Sequence, residues 1–192
     1  MLLASASPRR AQLLTAAGIR FEIQPAEVDE TLRDGELPSA YVERLAREKA
    51  ESVASMRPGR VVLGADTTVV VDGAVLGKAS DAAEARRMLE QLSGRGHQVL
   101  TGVALVGPGL SVVAVDVSSV WFAAMTSGDI EGYLATDEWR DKAGAYAIQG
   151  RAGRFVARLE GSYTNVVGLP VALVYHLLMR YPECRGAVRS TP

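Results

Sequence analysis

The chain contains 192 residues, with 21 Lys or Arg against 22 Asp or Glu, and its formal charge at pH 7 is −1. That balance argues against a general nucleic-acid binder, because such proteins carry a large basic excess to meet phosphates. Hydrophobic residues make up 48% and charged residues 22%, which excludes disorder as the main state. We expect a single domain over residues 1–192, with a tail that frays from about residue 181.

Few residues are available for disulfides or zinc. Cys184 is the only cysteine, and His97 and His176 are the only histidines, so neither an intrachain disulfide nor a zinc site is expected. No apolar run reaches the roughly 18 residues that a membrane span needs, and the start of the chain lacks a secretion signal. We therefore expect a protein of the reducing cytoplasm that does not bind membranes.

Short β-rich runs alternate with helical patterns in the first half of the chain. Strands are predicted at residues 2–5, 19–23 and 61–71, and helices at residues 8–17 and 38–55. Ser7 and Pro8 are typical of the N-cap and first position of a helix. Asp72 and Gly73 predict a hairpin turn that leads into a short strand at residues 74–76.

The alternation continues in the second half. Asp81 and Glu84 predict the capped start of a helix that ends near Leu92. Further elements are predicted as strands at 99–106 and 112–123, a helix at 127–135, short runs at 145–148 and 154–159, and a helix at 170–179. This order predicts an α/β fold, with a twisted sheet and helices on its faces.

Polar side chains follow the first strand directly, in Ser-Ala-Ser-Pro-Arg-Arg (5–10). A strand that runs straight into a helix points backbone N–H groups and the positive helix end at one place, which suits phosphate. Arg9 and Arg10 in the first turn oppose this dipole unless an anion binds there. The alternative is a capped helix whose two arginines are solvated.

An acidic residue interrupts the strongly apolar run at residues 61–71. An unpaired buried carboxylate costs several kcal/mol, so Asp66 needs a partner, a cation or a solvent cleft. The alternative is a carboxylate that hydrogen-bonds to the backbone at a bulge marked by Gly64. In both interpretations the carboxylate of Asp66 is compensated and does not lie alone in the apolar strand.

Other charged residues also have both a structural and a functional interpretation. The acidic loop at residues 27–30 is either solvated or, if Glu30 lies near Asp66, able to hold Mg²⁺ together with substrate oxygens. Lys78 and Lys49 are candidates for neutralising phosphate, although a helical lysine is more often merely exposed. No P-loop, dinucleotide-binding glycine motif or serine-hydrolase elbow is present. The candidate functional side chains that remain are acids, Arg and Lys. These residue types suit metal-assisted chemistry on a phosphorylated substrate.

Several motifs in this order resemble the Maf family of nucleoside triphosphate pyrophosphatases, over about residues 2–180. The matching stretches are Leu-Ala-Ser-Ala-Ser-Pro-Arg-Arg (3–10), Val-Asp-Glu (28–30), Leu-Ala-Arg-Glu-Lys-Ala (45–50), Gly-Ala-Asp-Thr-Thr-Val-Val-Val-Asp-Gly (64–73), Leu-Gly-Lys (76–78), Leu-Ser-Gly (92–94), Asp-Lys-Ala-Gly-Ala-Tyr-Ala-Ile-Gln-Gly (141–150), Gly-Ser-Tyr (161–163) and Val-Val-Gly-Leu-Pro (166–170). Two positions depart from many relatives, which carry Pro in place of Ala79 and Gly in place of Ala147.

The resemblance implies a fold and an activity. The fold is an elongated mixed sheet flanked by helices, with two lobes and a central cleft, similar to the inosine triphosphate pyrophosphatases. The activity is hydrolysis of a nucleoside triphosphate to the monophosphate and pyrophosphate with Mg²⁺ or Mn²⁺. A homodimer is also implied, whereas nucleic-acid and membrane partners are not.

The resemblance also assigns residues. Asp66 corresponds to the proposed proton acceptor. The substrate-discriminating positions correspond to Arg9, Thr67 and Gln149, and the other polar cleft positions to Ser7, Arg10, Glu30, Lys49 and Lys78. The segment around Gln149 resembles the branch that acts on dTTP and UTP, and an amide can pair with the O4/N3 edge of thymine or uracil.

The resulting hypothesis is attack of water on the α-phosphorus. Glu30 and Asp66 would hold the metal, Arg10, Lys49 and Lys78 would offset phosphate charge, and Asp66 would orient or deprotonate the water. Whether Asp66 is base, metal ligand or both stays open. Two alternatives also remain: a non-catalytic pyrimidine-nucleotide sensor linked to cell-division arrest, and a house-cleaning pyrophosphatase for non-canonical purine nucleotides.

Overall fold

The computed structural model describes residues 1–188. Its strands are β1 (Leu2–Ala4), β2 (Glu22–Ile23), β3 (Val62–Val71), β4 (Ala74–Leu76), β5 (Gly96–Gly107), β6 (Leu110–Phe122) and β7 (Val156–Glu160). Its α-helices are α1 (Pro8–Ala16), α2 (Pro38–Met56), α3 (Ala82–Leu92), α4 (Ser127–Leu134), α5 (Tyr163–Val167) and α6 (Val171–Arg180), and two 3₁₀ helices cover Arg151–Phe155 and Pro182–Ala187.

The strands form one mixed sheet, in agreement with the predicted α/β class. Its order is β2-β1-β3-β5-β6-β7, and β4 pairs with β3 outside this path. Strand β1 is parallel to both β2 and β3, whereas β4 is antiparallel to β3 and β7 is antiparallel to β6. The β3–β4 hairpin turns at Asp72 and Gly73, both of which have positive φ, as the turn signal predicted.

The described chain divides into two compact units. The first contains residues 1–66, 101–116 and the chain from residue 168 onward, and the second contains residues 67–100 and 117–167. An aromatic cluster fills part of the second unit and consists of His97, Phe122, Tyr133, Tyr146 and Phe155. A single domain with two lobes and a central cleft stays a prediction.

The first unit has an apolar layer on each face of its strands. Side chains alternate between these faces because successive residues of a strand point to opposite sides. One layer packs with helix α2 and contains Leu2, Ala4, Ala46, Ala50, Val53, Val62 and Ala104. The other packs with α1 and α6 and includes Leu3, Leu14, Leu63, Ala65, Val103, Leu105, Val174, Leu177 and Leu178.

Two glycines allow α2 to lie directly on the sheet. A Cβ atom at Gly64 of β3 would lie 2.1 Å from the carbonyl oxygen of Ala46, and one at Gly102 of β5 would lie 2.2 Å from that of Val42. Both distances are far inside van der Waals contact, so any side chain there would push the helix away. The close approach of α2 thus requires glycine at these positions.

One expectation about local structure was wrong, and one short helix was not predicted. Residues 145–148 form buried irregular chain rather than an extended run, because Gly144 and Ala145 both have positive φ. Residues 182–187 form a 3₁₀ helix with Cys184 and Ala187 buried, and a tail that frays from about residue 181 stays a prediction. The carboxyl-terminal part of that expectation, residues 189–192, lies outside the described residues. Helix α5 at Tyr163–Val167 had no counterpart in the predicted elements.

Among residues 1–188, none of the helices combines the length and apolar character needed to cross a membrane.

We expect Gly64→Ala to destabilise the protein by about 2–3 kcal/mol, because overpacking against a helix backbone forces the helix to shift. Urea unfolding measures this as a lower midpoint at unchanged slope. Gly77→Ala is the matched control, because a Cβ atom there meets no atom within 4 Å. Equal stability of the two variants would contradict the close-packing interpretation.

Candidate active site

Lys49 of α2 joins two carboxylates in the first unit. Its Nζ lies 2.6 Å from Oδ1 of Asp66 and 2.5 Å from Oε1 of Glu30. Lys49 and Asp66 are buried, with 7% and 8% of their surface exposed, whereas the Glu30 side chain is 41% exposed. The structure therefore brings together three residues that the sequence analysis singled out separately.

The position of Asp66 follows from the regular geometry of β3. Gly64 and Asp66 are two residues apart, so both face α2, and the contact at Gly64 brings that helix within reach of the carboxylate. The pairing of β1 with β3 has no bulge, because its register is regular through Ala4 and Gly64. The partner of the Asp66 carboxylate is the Lys49 ammonium. The alternative of an exposed Lys49 is wrong, because its side chain is buried.

Arg10 is held at the junction of β1 and α1. Its Nε donates to the carbonyl oxygen of Gly168 at 2.8 Å, and its Nη1 donates to Oγ of Ser5 at 3.1 Å. The guanidinium is buried, which lowers its pKa, while the charge of Asp66 acts in the opposite direction. The alternative of two solvated arginines is thus wrong for Arg10, and Arg9 is half-buried.

Ser7 is the N-cap residue of α1, as predicted, but its side chain makes no capping hydrogen bond. Its backbone N–H donates instead to Oγ of Ser5 at 3.2 Å. Ser5 therefore accepts hydrogen bonds from both Ser7 and Arg10 and stabilises the turn from β1 into α1. This arrangement orients the Ser7 backbone N–H and the Arg10 guanidinium at the start of the helix.

Helix α2 also anchors the loop that carries Glu30. Tyr41 donates from its hydroxyl to the carbonyl oxygen of Glu30 at 2.8 Å. Arg44 donates to the carbonyl oxygen of Thr31 at 3.1 Å and holds Glu36 through two hydrogen bonds of 2.6 and 2.7 Å. Burial, and then the negative charges of Asp66 and Glu30, raise the pKa of Tyr41 to about 12, so its hydroxyl stays a donor. The loop thus approaches Lys49 in a fixed conformation.

The remaining predicted site residues belong to the second unit. Thr67 follows Asp66 in β3 and is half-buried, whereas the side chains of Lys78 and Gln149 are exposed. The backbone of Lys78 forms an antiparallel bridge with Ala143.

The segment before Gln149 is held by two tyrosines of the aromatic cluster. The Ala147 N–H donates to the Tyr133 hydroxyl at 3.1 Å, and the Tyr146 hydroxyl lies 2.8 Å from Nε2 of His97. Burial lowers the pKa of His97 to about 4, so the ring is neutral near pH 7. These contacts fix the backbone that leads to Gln149.

A divalent metal would have a small set of protein ligands here. Within residues 1–188, no group of three or more His, Cys, Asp or Glu side chains could hold a metal ion. Glu30 and Asp66 nevertheless share one cation, the Lys49 ammonium, between their oxygens. Mg²⁺ is commonly held by one or two carboxylates together with substrate phosphates. The carboxylate pair therefore fits a metal that is completed by its substrate.

Four positions that contribute to the site were given no role from the sequence. Ser5 and Gly168 accept from Arg10, and Tyr41 and Arg44 anchor the Glu30 loop. Ser5 and Gly168 lie inside the family motifs at residues 3–10 and 166–170, and these motifs were the sequence signal that could have identified them. Tyr41 and Arg44 looked like ordinary residues of an amphipathic helix.

The fold and the cluster of acids and bases define an α/β protein suited to a charged, phosphorylated substrate. A family model described as Maf-like protein matches residues 1–181, and the chain belongs to this family.

Relatives carry a shared activity name. A protein of Myxococcus xanthus is 53% identical over 94% of this chain and 91% of its own length, and one of Symbiobacterium thermophilum is 51% identical over 94% and 93%. A third, from Koribacter versatilis, is 48% identical over 94% and 93%. All three are named dTTP/UTP pyrophosphatase.

The Arg44–Glu36 pair makes the stability of the first unit pH-dependent. Arg44 holds the pKa of Glu36 at about 2, below its ordinary value of 4.5. The pair therefore stabilises the fold above about pH 4.5, and this contribution is lost as the pH falls towards 2. We expect Glu36→Gln to lower the urea midpoint near pH 6 and to lower it much less near pH 2.5.

The control for that measurement is a double-mutant cycle with Arg44→Met. The coupling between the two substitutions should decline over the same pH window. A coupling that stays constant from about pH 6 to pH 2.5 would assign the effect to something other than this ion pair.

Proposed function

We propose that this chain is a nucleoside triphosphate pyrophosphatase that hydrolyses dTTP and UTP to the monophosphate and pyrophosphate. Support comes from the shared name of relatives at about 50% identity over most of the chain. The observation that carries the proposal is the buried Lys49 bound between Asp66 and Glu30, with Arg10 held nearby. These groups combine a base, carboxylate ligands and fixed cations, as hydrolysis of a phosphoanhydride requires.

Asp66 is the proposed base. The Lys49 ammonium holds its Oδ1 at 2.6 Å, so we assign Oδ2 to orient the attacking water and to accept its proton. Before metal and substrate bind, the same ammonium keeps the carboxylate oriented by a charge-assisted hydrogen bond. Attack of the water on the α-phosphorus breaks the bond to the bridging oxygen and releases pyrophosphate.

The basic residues are proposed to offset the charge of the triphosphate. Arg10 is fixed by Ser5 and Gly168 before substrate arrives, so little reorganisation is needed when charge develops on the leaving group. Lys78 is exposed and reaches solvent, as a residue that meets pyrophosphate would. Ser7, Arg9 and Thr67 are proposed to contact the substrate.

Glu30 and Asp66 are proposed to hold Mg²⁺ or Mn²⁺. The bound ion supplies Lewis-acid stabilisation of phosphate oxygens. Tyr41 and Arg44 of α2 hold the backbone of the loop that carries Glu30, and the Glu30 carboxylate contacts Lys49. A homodimer and a cytoplasmic location are also proposed, from the family resemblance alone.

The decisive test of function is product formation from a panel of triphosphates with Mg²⁺. We expect monophosphate and pyrophosphate, formed fastest from dTTP and UTP, and a loss of at least about 100-fold in kcat for Asp66→Asn, because removal of a general base typically costs 10²–10⁴-fold. Near-normal turnover by the variant would contradict the assigned base. Binding of dTTP without turnover by the wild type would favour a nucleotide sensor, and preference for inosine triphosphate would favour the purine alternative.

Gln149 is the proposed reader of the pyrimidine edge. Its amide can both donate and accept, whereas the carboxylate of Gln149→Glu can only accept. We expect this variant to lose about 10- to 100-fold in kcat/KM for UTP, since a polar group of the base left unpaired in the complex costs roughly 1–3 kcal/mol. The measurement compares UTP with CTP and GTP. An equal loss for all three would mean that Gln149 does not select the base.

A further inference from the structure

Lys49 occupies the place between the two carboxylates that a metal ion would need. Its Nζ lies 2.5 Å from Glu30 and 2.6 Å from Asp66, within direct hydrogen-bonding distance of both. A divalent cation that bridged Oδ1 of Asp66 and Oε1 of Glu30 would lie where the Nζ of Lys49 lies, so the two cations compete for these oxygens. Binding of a metal between these two oxygens therefore requires Lys49 to move.

We propose that Lys49 is an internal counter-ion that keeps divalent metal out of the Glu30–Asp66 pair until a nucleotide binds. This inference rests on the proposed function, because it assigns the order in which that site fills. It adds a role for Lys49 in metal access to its proposed role in offsetting phosphate charge.

The local charges also disfavour a metal ion at the Glu30–Asp66 pair before a nucleotide binds. Lys49 and Arg10 carry two positive charges, and Asp66 and Glu30 carry two negative charges. The charges of Asp66 and Glu30 act on buried Arg10, so these groups lie in one electrostatic environment. A divalent cation would enter a neutral group that already contains two cations, and burial reduces the screening of their repulsion.

A triphosphate changes this balance. Its phosphate oxygens offer Lys49 a new acceptor and bring negative charge beside Arg10, so the carboxylates can exchange the ammonium for a metal. Lysine suits such an exchange, because its ammonium is a compact charge on a flexible stem. Metal and nucleotide must then raise each other's affinity by the same factor.

The test measures Mn²⁺ binding without turnover. Wild type, Lys49→Met and Arg47→Met are titrated with Mn²⁺ at about pH 8, with free Mn²⁺ followed by electron paramagnetic resonance. Arg47 is exposed on the same helix, so Arg47→Met loses the same charge without touching the pair. We expect Lys49→Met to bind Mn²⁺ at least about tenfold more tightly than both other proteins in the absence of nucleotide, within the usual range of coupling between sites.

A folded Lys49→Met protein with wild-type Mn²⁺ affinity would overturn the inference. So would an equal gain in Arg47→Met, which would assign the effect to net charge. A double variant tests where the Mn²⁺ ion binds. Lys49→Met combined with Asp66→Asn should lose the Mn²⁺ affinity that Lys49→Met gains. If the double variant keeps that affinity, the metal binds elsewhere and the inference is rejected.

A second measurement on the wild type covers the case in which Lys49→Met does not fold. Mn²⁺ broadens amide resonances close to its binding site. Micromolar Mn²⁺ should broaden the amides around Glu30 and Asp66 selectively only after addition of a non-hydrolysable α,β-methylene analogue of dUTP. Selective broadening there without the analogue would overturn the inference.

Failure of the two proposals can be told apart. If wild type releases pyrophosphate from dTTP but its metal site fills without nucleotide, only the role of Lys49 in metal access fails. If wild type cleaves no triphosphate, the proposed function fails whatever the Mn²⁺ titrations give.

Discussion

Backbone contact between helix α2 and the sheet is the constraint on which the candidate site depends. Gly64 and Gly102 leave no room for side chains beneath the helix, so Lys49 comes close enough to reach Asp66. The ammonium in turn compensates a carboxylate that would be costly to bury alone. Packing and charge are therefore coupled, because a change that lifts α2 from the strands also separates the ion pair.

The groups around this pair differ in how firmly they are held. Arg10 hydrogen-bonds to a side chain and to a backbone carbonyl from a distant part of the chain, and it is buried. Glu30 lies on a loop without regular structure and depends on Tyr41 and Arg44 for its position. The site thus combines a rigid cation with a carboxylate whose support comes from one helix. Such a division suits a site that must bind and release a highly charged ligand.

The sequence predicts the order of most elements, because amphipathic periodicity, turn residues and caps are local signals. It fails at residues 145–148, where positive φ at Gly144 and Ala145 depends on surrounding contacts and not on local pattern. Asp66 was identifiable as unusual in its apolar run, and Lys49 was singled out only by the family resemblance; their pairing arises from the packing of α2 on β3. The hydrogen bond from Arg10 to Gly168 joins residues 158 positions apart, and no local pattern reports such a contact.

The division of the chain into units has a consequence for biosynthesis. The second unit contains residues up to 167 only, whereas the first takes Leu169, Val174 and other core side chains from the chain after residue 168. Chains are synthesised from the amino terminus, so the residues after 168 leave the ribosome last. Residues 1–66 thus lack part of their core until the residues after 168 are present, and a chain truncated before residue 168 carries Arg10 without its Gly168 acceptor.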